Sequence, residues 1–80
     1  MIIEGVEWEM KSPTGKSKYT IQNQFRRAAR QSRNLIFDMR RVQLPTTIVQ
    51  QEVEKQFTLR RSIKRLKLIT KTGMVIEFRK

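Results

Sequence analysis

The run Leu35-Ile36-Phe37, entered from Asn34 and left through Asp38-Met39-Arg40, narrows the folds open to this chain more than any other segment. It is too apolar for an edge strand and reads as a parallel strand covered on both faces. A parallel strand needs a crossover, and the preceding residues supply one. From Lys18 to about Arg33, Ile21, Phe25, Ala28, Ala29 and Ser32 recur at helical spacing, which predicts a helix with small residues for close packing. Such a connection is expected to be right-handed. Leu44-Pro45-Thr46-Thr47 then opens a second helix, with a proline near its first turn and hydroxyls to cap it; Ile48, Val49, Glu52, Val53 and Phe57 follow. Upstream, Ile2-Ile3 and Val6 to Lys11 flank Glu4-Gly5 as two short strands. On the second, Val6, Trp8 and Met10 face one way, Glu7, Glu9 and Lys11 the other. Downstream, Leu66 to Thr70 and Met74 to Arg79 read as antiparallel strands around Thr72-Gly73, with Met74, Ile76 and Phe78 on one side. The order β-β-α-β-α-β-β predicts one small α/β sandwich over residues 1–80, with a mixed sheet and two helices.

Composition removes whole classes of chemistry. The chain has no cysteine and no histidine, so disulfides, thiolate zinc sites, imidazole bases and Ser-His or Cys-His pairs are excluded. Catalysis would have to use carboxylates, lysine, arginine, hydroxyls or a hard, oxygen-bound metal. Eighteen Lys and Arg stand against seven Asp and Glu, a formal charge of +11. An excess of that size repels itself unless an anion lies against it, and a phosphate backbone is the commonest such partner. Glu4, Glu7 and Glu9 precede every basic residue, so a small acidic spot lies within a basic molecule. No apolar run approaches a membrane span or a signal peptide, so a soluble, cytosolic chain is expected.

Two motifs compete within WEMKSPTGKS, residues 8–17. A phosphate-binding loop ending in Gly15-Lys16-Ser17 requires its first glycine at position 10, which is Met10. The loop is better read as a flexible basic connector leading to a helix whose amino end attracts phosphate. Glu9-x-Lys11 follows a different logic, because alternate residues of a strand share a face and so deliver a carboxylate and an ammonium side by side. The carboxylate can hold a Mg²⁺, and the lysine can neutralise an attacked phosphate. A same-face salt bridge accounts for the tripeptide equally well.

Gly5-x-x-Trp8-Glu9-x-Lys11-x-Pro13-Thr14-Gly15, Gln31-Ser32-x-Asn34-x-Ile36-x-Asp38-x-Arg40-Arg41, Ser62-Ile63-Lys64-Arg65-Leu66 and Ile69-Thr70-Lys71-x-Gly73 carry a resemblance over almost the whole chain. It resembles the C-terminal toxin-nuclease domain of contact-dependent growth-inhibition proteins, which is similar to domains ending some phage minor head proteins. The resemblance implies a restriction-endonuclease-like core, a PD-(D/E)XK-like site, and a metal-dependent ribonuclease acting on tRNA or other RNA. It also implies delivery to the cytoplasm within a larger toxin or phage protein, and an acidic immunity protein or a phage capsid protein as partner. One departure stands out: the strand before Glu-x-Lys should carry an acidic ligand, usually as Pro-Asp, about where this chain starts. Either the chain is a C-terminal fragment of a longer protein, or Glu4 or Glu7 substitutes, or the site is crippled.

On this reading Glu9 and Lys11 are the catalytic pair and Glu7, Glu9 and Asp38 the metal ligands, with Mg²⁺ expected and a metal-free course through the RNA 2′-hydroxyl kept open. Asp38 also has a plain reading as the partner of Arg40. Lys16, Lys18, Arg26, Arg30, Arg33, Arg40, Arg61 and Lys64 are the expected nucleic-acid contacts. Gln31 is a further candidate for orienting a water, Trp8 is expected in the core, and Tyr19 could stack on a base. The alternative is a non-catalytic basic module of phage or mobile-element origin that binds nucleic acid without cutting it.

Overall fold

In the computed structural model, which describes residues 1–80, the elements are β1 (Ile2–Ile3), β2 (Val6–Glu7), β3 (Glu9–Lys11), α1 (Lys18–Gln31), β4 (Asn34–Asp38), α2 (Thr46–Leu59), β5 (Arg65–Ile69) and β6 (Val75–Arg79). β1 and β2 form a hairpin in which Glu4 (φ 51°) and Gly5 (φ 79°) both take the left-handed conformation of a two-residue turn. The strand expected from Val6 to Lys11 breaks at Trp8. Its amide donates to the Met1 carbonyl at 2.7 Å, so Val6–Glu7 stays with β1 while Glu9–Lys11 pairs with β4.

Helix boundaries follow local chemistry. The Ser17 hydroxyl accepts from the Tyr19 amide at 3.0 Å and starts α1. α1 stops at Gln31, short of the expected Arg33, because Ser32 turns extended and its hydroxyl accepts the Asn34 amide at 3.1 Å. At α2 the expected hydroxyl cap is not used. Pro45 occupies the cap position without a side-chain bond, and its restricted φ (−54°) sets the entry.

The main sheet has the order β3-β4-β5-β6, with β3, β4 and β5 parallel and β6 antiparallel to β5. Each crossover steps one strand in the same direction, so right-handed connections lay both helices on one face. There Ile21, Phe25 and Ala28 of α1 and Val49, Val53 and Phe57 of α2 meet Leu35, Phe37, Leu66 and Leu68 of the sheet. The Phe25 and Phe37 rings lie 5.4 Å apart. Ile76 and Phe78 pack against this core, whereas Met74 precedes β6 and is exposed.

β4 is buried on both faces, as its apolar run predicts, though by different means on each. No helix lies on the second face, yet Ile36 is buried there, in register with Met10 on one side and Lys67 on the other. Part of the cover is Trp8, itself buried beneath the Arg65 guanidinium at 4.8 Å and the Lys67 ammonium at 5.0 Å. Long cationic side chains lay their apolar stems on the sheet and keep their charged heads outward, which suits a basic surface.

Candidate active site

The polar groups gather where the parallel strands end. The loop from Ser12 to Ser17, after β3, runs beside the loop from Met39 to Pro45, after β4, and the two are tied by a bond of 2.7 Å from the Gln43 amide to the Gly15 carbonyl. Gly15 has φ +149°, and a Cβ there would lie 2.7 Å from the Thr20 hydroxyl, so this approach of loop to helix requires glycine. Pro13 is buried in the same loop. Lys16 and Lys18 stand exposed at the amino end of α1, with Tyr19 exposed beside them.

Glu9 and Lys11 lie in register with Leu35 and Phe37, which places both on the helix side of the edge strand β3. Their side chains form an ion pair of 3.4 Å, with 15% of the Lys11 side chain and 32% of Glu9 exposed. The structure thus brings the expected catalytic pair together in a half-covered position, reachable from the free edge of the sheet.

Asp38 shares the opposite face with Ile36. It is buried at the end of β4, where one oxygen accepts from the Arg40 amide (3.0 Å) and Nε (2.9 Å) and the other from Arg40 Nη2 (2.8 Å) and the Ser12 hydroxyl (3.3 Å). The side-chain bonds from Arg40 are the main reason its pKa falls from 3.8 to about 2, against a smaller upward push from burial. Asp38 is therefore a locked anion that fixes Arg40 and joins the two loops. Because its folded pKa is depressed, its stabilisation is complete above pH 3.8 and is lost as pH falls toward 2. With the Arg40 head half in solvent, that contribution is about 1–2 kcal/mol. Asp38→Asn should remove it at neutral pH and flatten the dependence of stability on pH between 4 and 2, as read by urea unfolding.

The three expected metal ligands do not converge. Glu7 pairs with the Met1 amino group at 2.8 Å, Glu9 with Lys11, and Asp38 with Arg40 from the other face. Of the expected nucleic-acid contacts, Arg26, Arg30 and Arg33 follow one another along α1 and just beyond it, all exposed and in no ion pair. Arg61 and Lys64 lie between α2 and β5, at the opposite end of the molecule from Lys16 and Lys18. Gln31 is exposed at the end of α1. Sequence reasoning passed over Ser12. A hydroxyl directly after Glu-x-Lys was the available signal, but its partner lies 26 positions away.

The fold and these groups define a small, strongly basic α/β domain with a carboxylate–ammonium pair on an edge strand. Residues 1–75 match the family described as the contact-dependent growth inhibition CdiA C-terminal domain, and the chain belongs to that family. It is accordingly a toxic effector domain of a kind delivered into target cells and typically paired with an immunity protein. No curated protein and no solved structure matches the chain. No helix is long and apolar enough to cross a membrane.

Proposed function

We propose that this toxin domain is a ribonuclease that cleaves tRNA by attack of an RNA 2′-hydroxyl on the adjacent phosphate. The observation that carries the reading is the Glu9–Lys11 pair, held 3.4 Å apart on an edge strand of a chain with formal charge +11. Glu9 takes the proton of the 2′-hydroxyl as its oxygen bonds to phosphorus. The Lys11 ammonium faces the charge that grows on the phosphorane oxygens. The bond to the 5′-oxygen then breaks, that oxygen takes up a proton from Lys11 or water, and a 2′,3′-cyclic phosphate remains. Lys16, Lys18 and the amino end of α1 hold the neighbouring phosphates, and exposed Tyr19 offers a face for a base.

The donors here do not suit the expected Mg²⁺. That ion takes oxygen ligands in near-octahedral array, commonly from one or two carboxylates free to face it. Glu9 has an ammonium at 3.4 Å, and both oxygens of Asp38 are engaged by Arg40 and Ser12. No step is therefore assigned to a metal.

The test is cleavage of end-labelled tRNA beside duplex DNA, each in Mg²⁺ and in EDTA. Fragments with cyclic phosphate ends in both tRNA lanes, and intact DNA, are expected. Cutting confined to Mg²⁺, or extending to DNA, would replace this course by metal-assisted hydrolysis. Intact tRNA in every lane would leave a basic binding module.

A further inference from the structure

The end of the sheet where the parallel strands begin, opposite Lys16 and Lys18, gathers positive charge from four separate segments. The Lys64 and Arg65 amides both donate to the Arg33 carbonyl (2.7 and 3.3 Å), and the Lys80 amide donates to the Lys64 carbonyl (3.0 Å). The Lys80 ammonium donates to the Arg60 carbonyl at 2.9 Å. The exit of α1, the exit of α2, the start of β5 and the residue after β6 are thereby pinned together. Arg33, Arg60, Arg61 and Lys64 enter no ion pair. Arg65 and Arg79 share one carboxylate, Glu77, at 2.8 and 3.1 Å. Arg65 Nε is buried with no partner. Glu7 lies toward the other edge of this end, its backbone carbonyl taking a bond from Asn34, and its carboxylate is occupied by the Met1 amine.

Helix polarity does not account for this excess. Each carboxyl terminus carries about half a negative charge, so two helix ends offset roughly one cation. Burial first, and repulsion from Lys64 second, hold the Lys80 ammonium below its ordinary pKa. α1 spans 14 residues, which separates this end from Lys16 and Lys18 by about 20 Å.

We propose that Arg33, Arg61 and Lys64 form an RNA-anchoring patch on the far side of the Glu9–Lys11 pair from Lys16 and Lys18, so that only an RNA long enough to run from the patch to those lysines is bound well. This rests on the ribonuclease reading for the cleavage arm alone; the anchoring arm can be read by binding. An extended phosphate backbone fits the patch because the cations come from several segments and continue along α1 through Arg30 and Arg26 toward the loops. The contacts are point charges rather than a closed pocket, which suits backbone phosphates and not a small ligand.

The experiment uses the full chain with Arg33→Gln, Arg61→Gln and Lys64→Gln combined, against a charge-matched control carrying Arg27→Gln, Arg41→Gln and Lys55→Gln. Substrates are tRNA and a trinucleotide too short to span the domain. Expected for the patch variant are a tRNA KM raised tenfold or more, an unchanged kcat, and a much smaller rise in KM for the trinucleotide, which cannot reach from the patch to Lys16 and Lys18. The slope of log Kd for tRNA against log salt should fall by about two to three, one contact per removed cation. If the domain cuts neither RNA, the Kd and its salt slope still test the patch, by fluorescence anisotropy. A loss of tRNA affinity no greater than in the control, or an equal loss for the trinucleotide, would overturn the proposal.

Discussion

Lys11→Ala is expected to slow tRNA cleavage about 10²–10³-fold, the usual cost of removing a group that stabilises charge only in the transition state. Binding should change far less, since one phosphate contact of many is lost and the salt slope drops by about one. Stability should hardly move. A partly exposed ion pair contributes at most about 1 kcal/mol, and the Lys11 side chain lies outside the apolar core. Glu9→Gln keeps the size of the side chain but removes the proton acceptor, and should slow cleavage comparably while leaving tRNA affinity intact or slightly raised. Single-turnover cleavage, tRNA binding and urea unfolding on the same preparations separate the roles. Unchanged cleavage in Lys11→Ala would remove the edge-strand pair from the mechanism. A loss of cleavage matched by a loss of folding would make the pair structural.

Phe37→Ala should be the most damaging single change to the fold. Phe37 is fully buried on β4, an inner strand, and its ring lies tilted against Phe25 with centroids 5.4 Å apart. Truncating such a ring costs about 3–5 kcal/mol in lost transfer energy and cavity formation. A domain of 80 residues has roughly 4–12 kcal/mol in all, so the variant is expected to lose cooperative thermal unfolding or to melt far below the parent. Met10→Ala provides the contrast, because Met10 is 39% exposed on the face without helices. Its cost should stay within about 0.5 kcal/mol. Similar losses in both variants would mean that the sheet is held together in some other way than through its helix-side core.

Much of the architecture was legible because it is written in local repeats. The helical spacing of Ile21, Phe25 and Ala28 and the apolar run of β4 are short-range patterns, and so are the turns at Glu4-Gly5 and Thr72-Gly73. Boundaries were less legible where a single bond decided them. Ser32 ends α1 by accepting the Asn34 amide, and Trp8 divides a strand by bonding back to Met1. Of the candidate site, the proximity of Glu9 and Lys11 followed from strand alternation alone, as did the exposure of the α1 arginines from their place off the apolar stripe. The grouping of Glu7, Glu9 and Asp38 could not be judged in that way.

By itself, the sequence determined the order of elements apart from the break at Trp8, the basic surface, the absence of thiol and imidazole chemistry, and the juxtaposition of Glu9 with Lys11. All of these depend on composition or on residues a few positions apart. The tertiary structure alone decided that both helices share one face and that Glu9 and Asp38 lie on opposite faces of the sheet. It likewise decided that Trp8 is roofed by Arg65 and Lys67, and that Arg33, Arg61 and Lys64 meet at one end. The reason is that a strand's periodicity marks which residues share a face but not which face the crossovers cover. That assignment, and every contact following from it, is fixed only when β3, β4 and β5 pair in register and the helices pack across them.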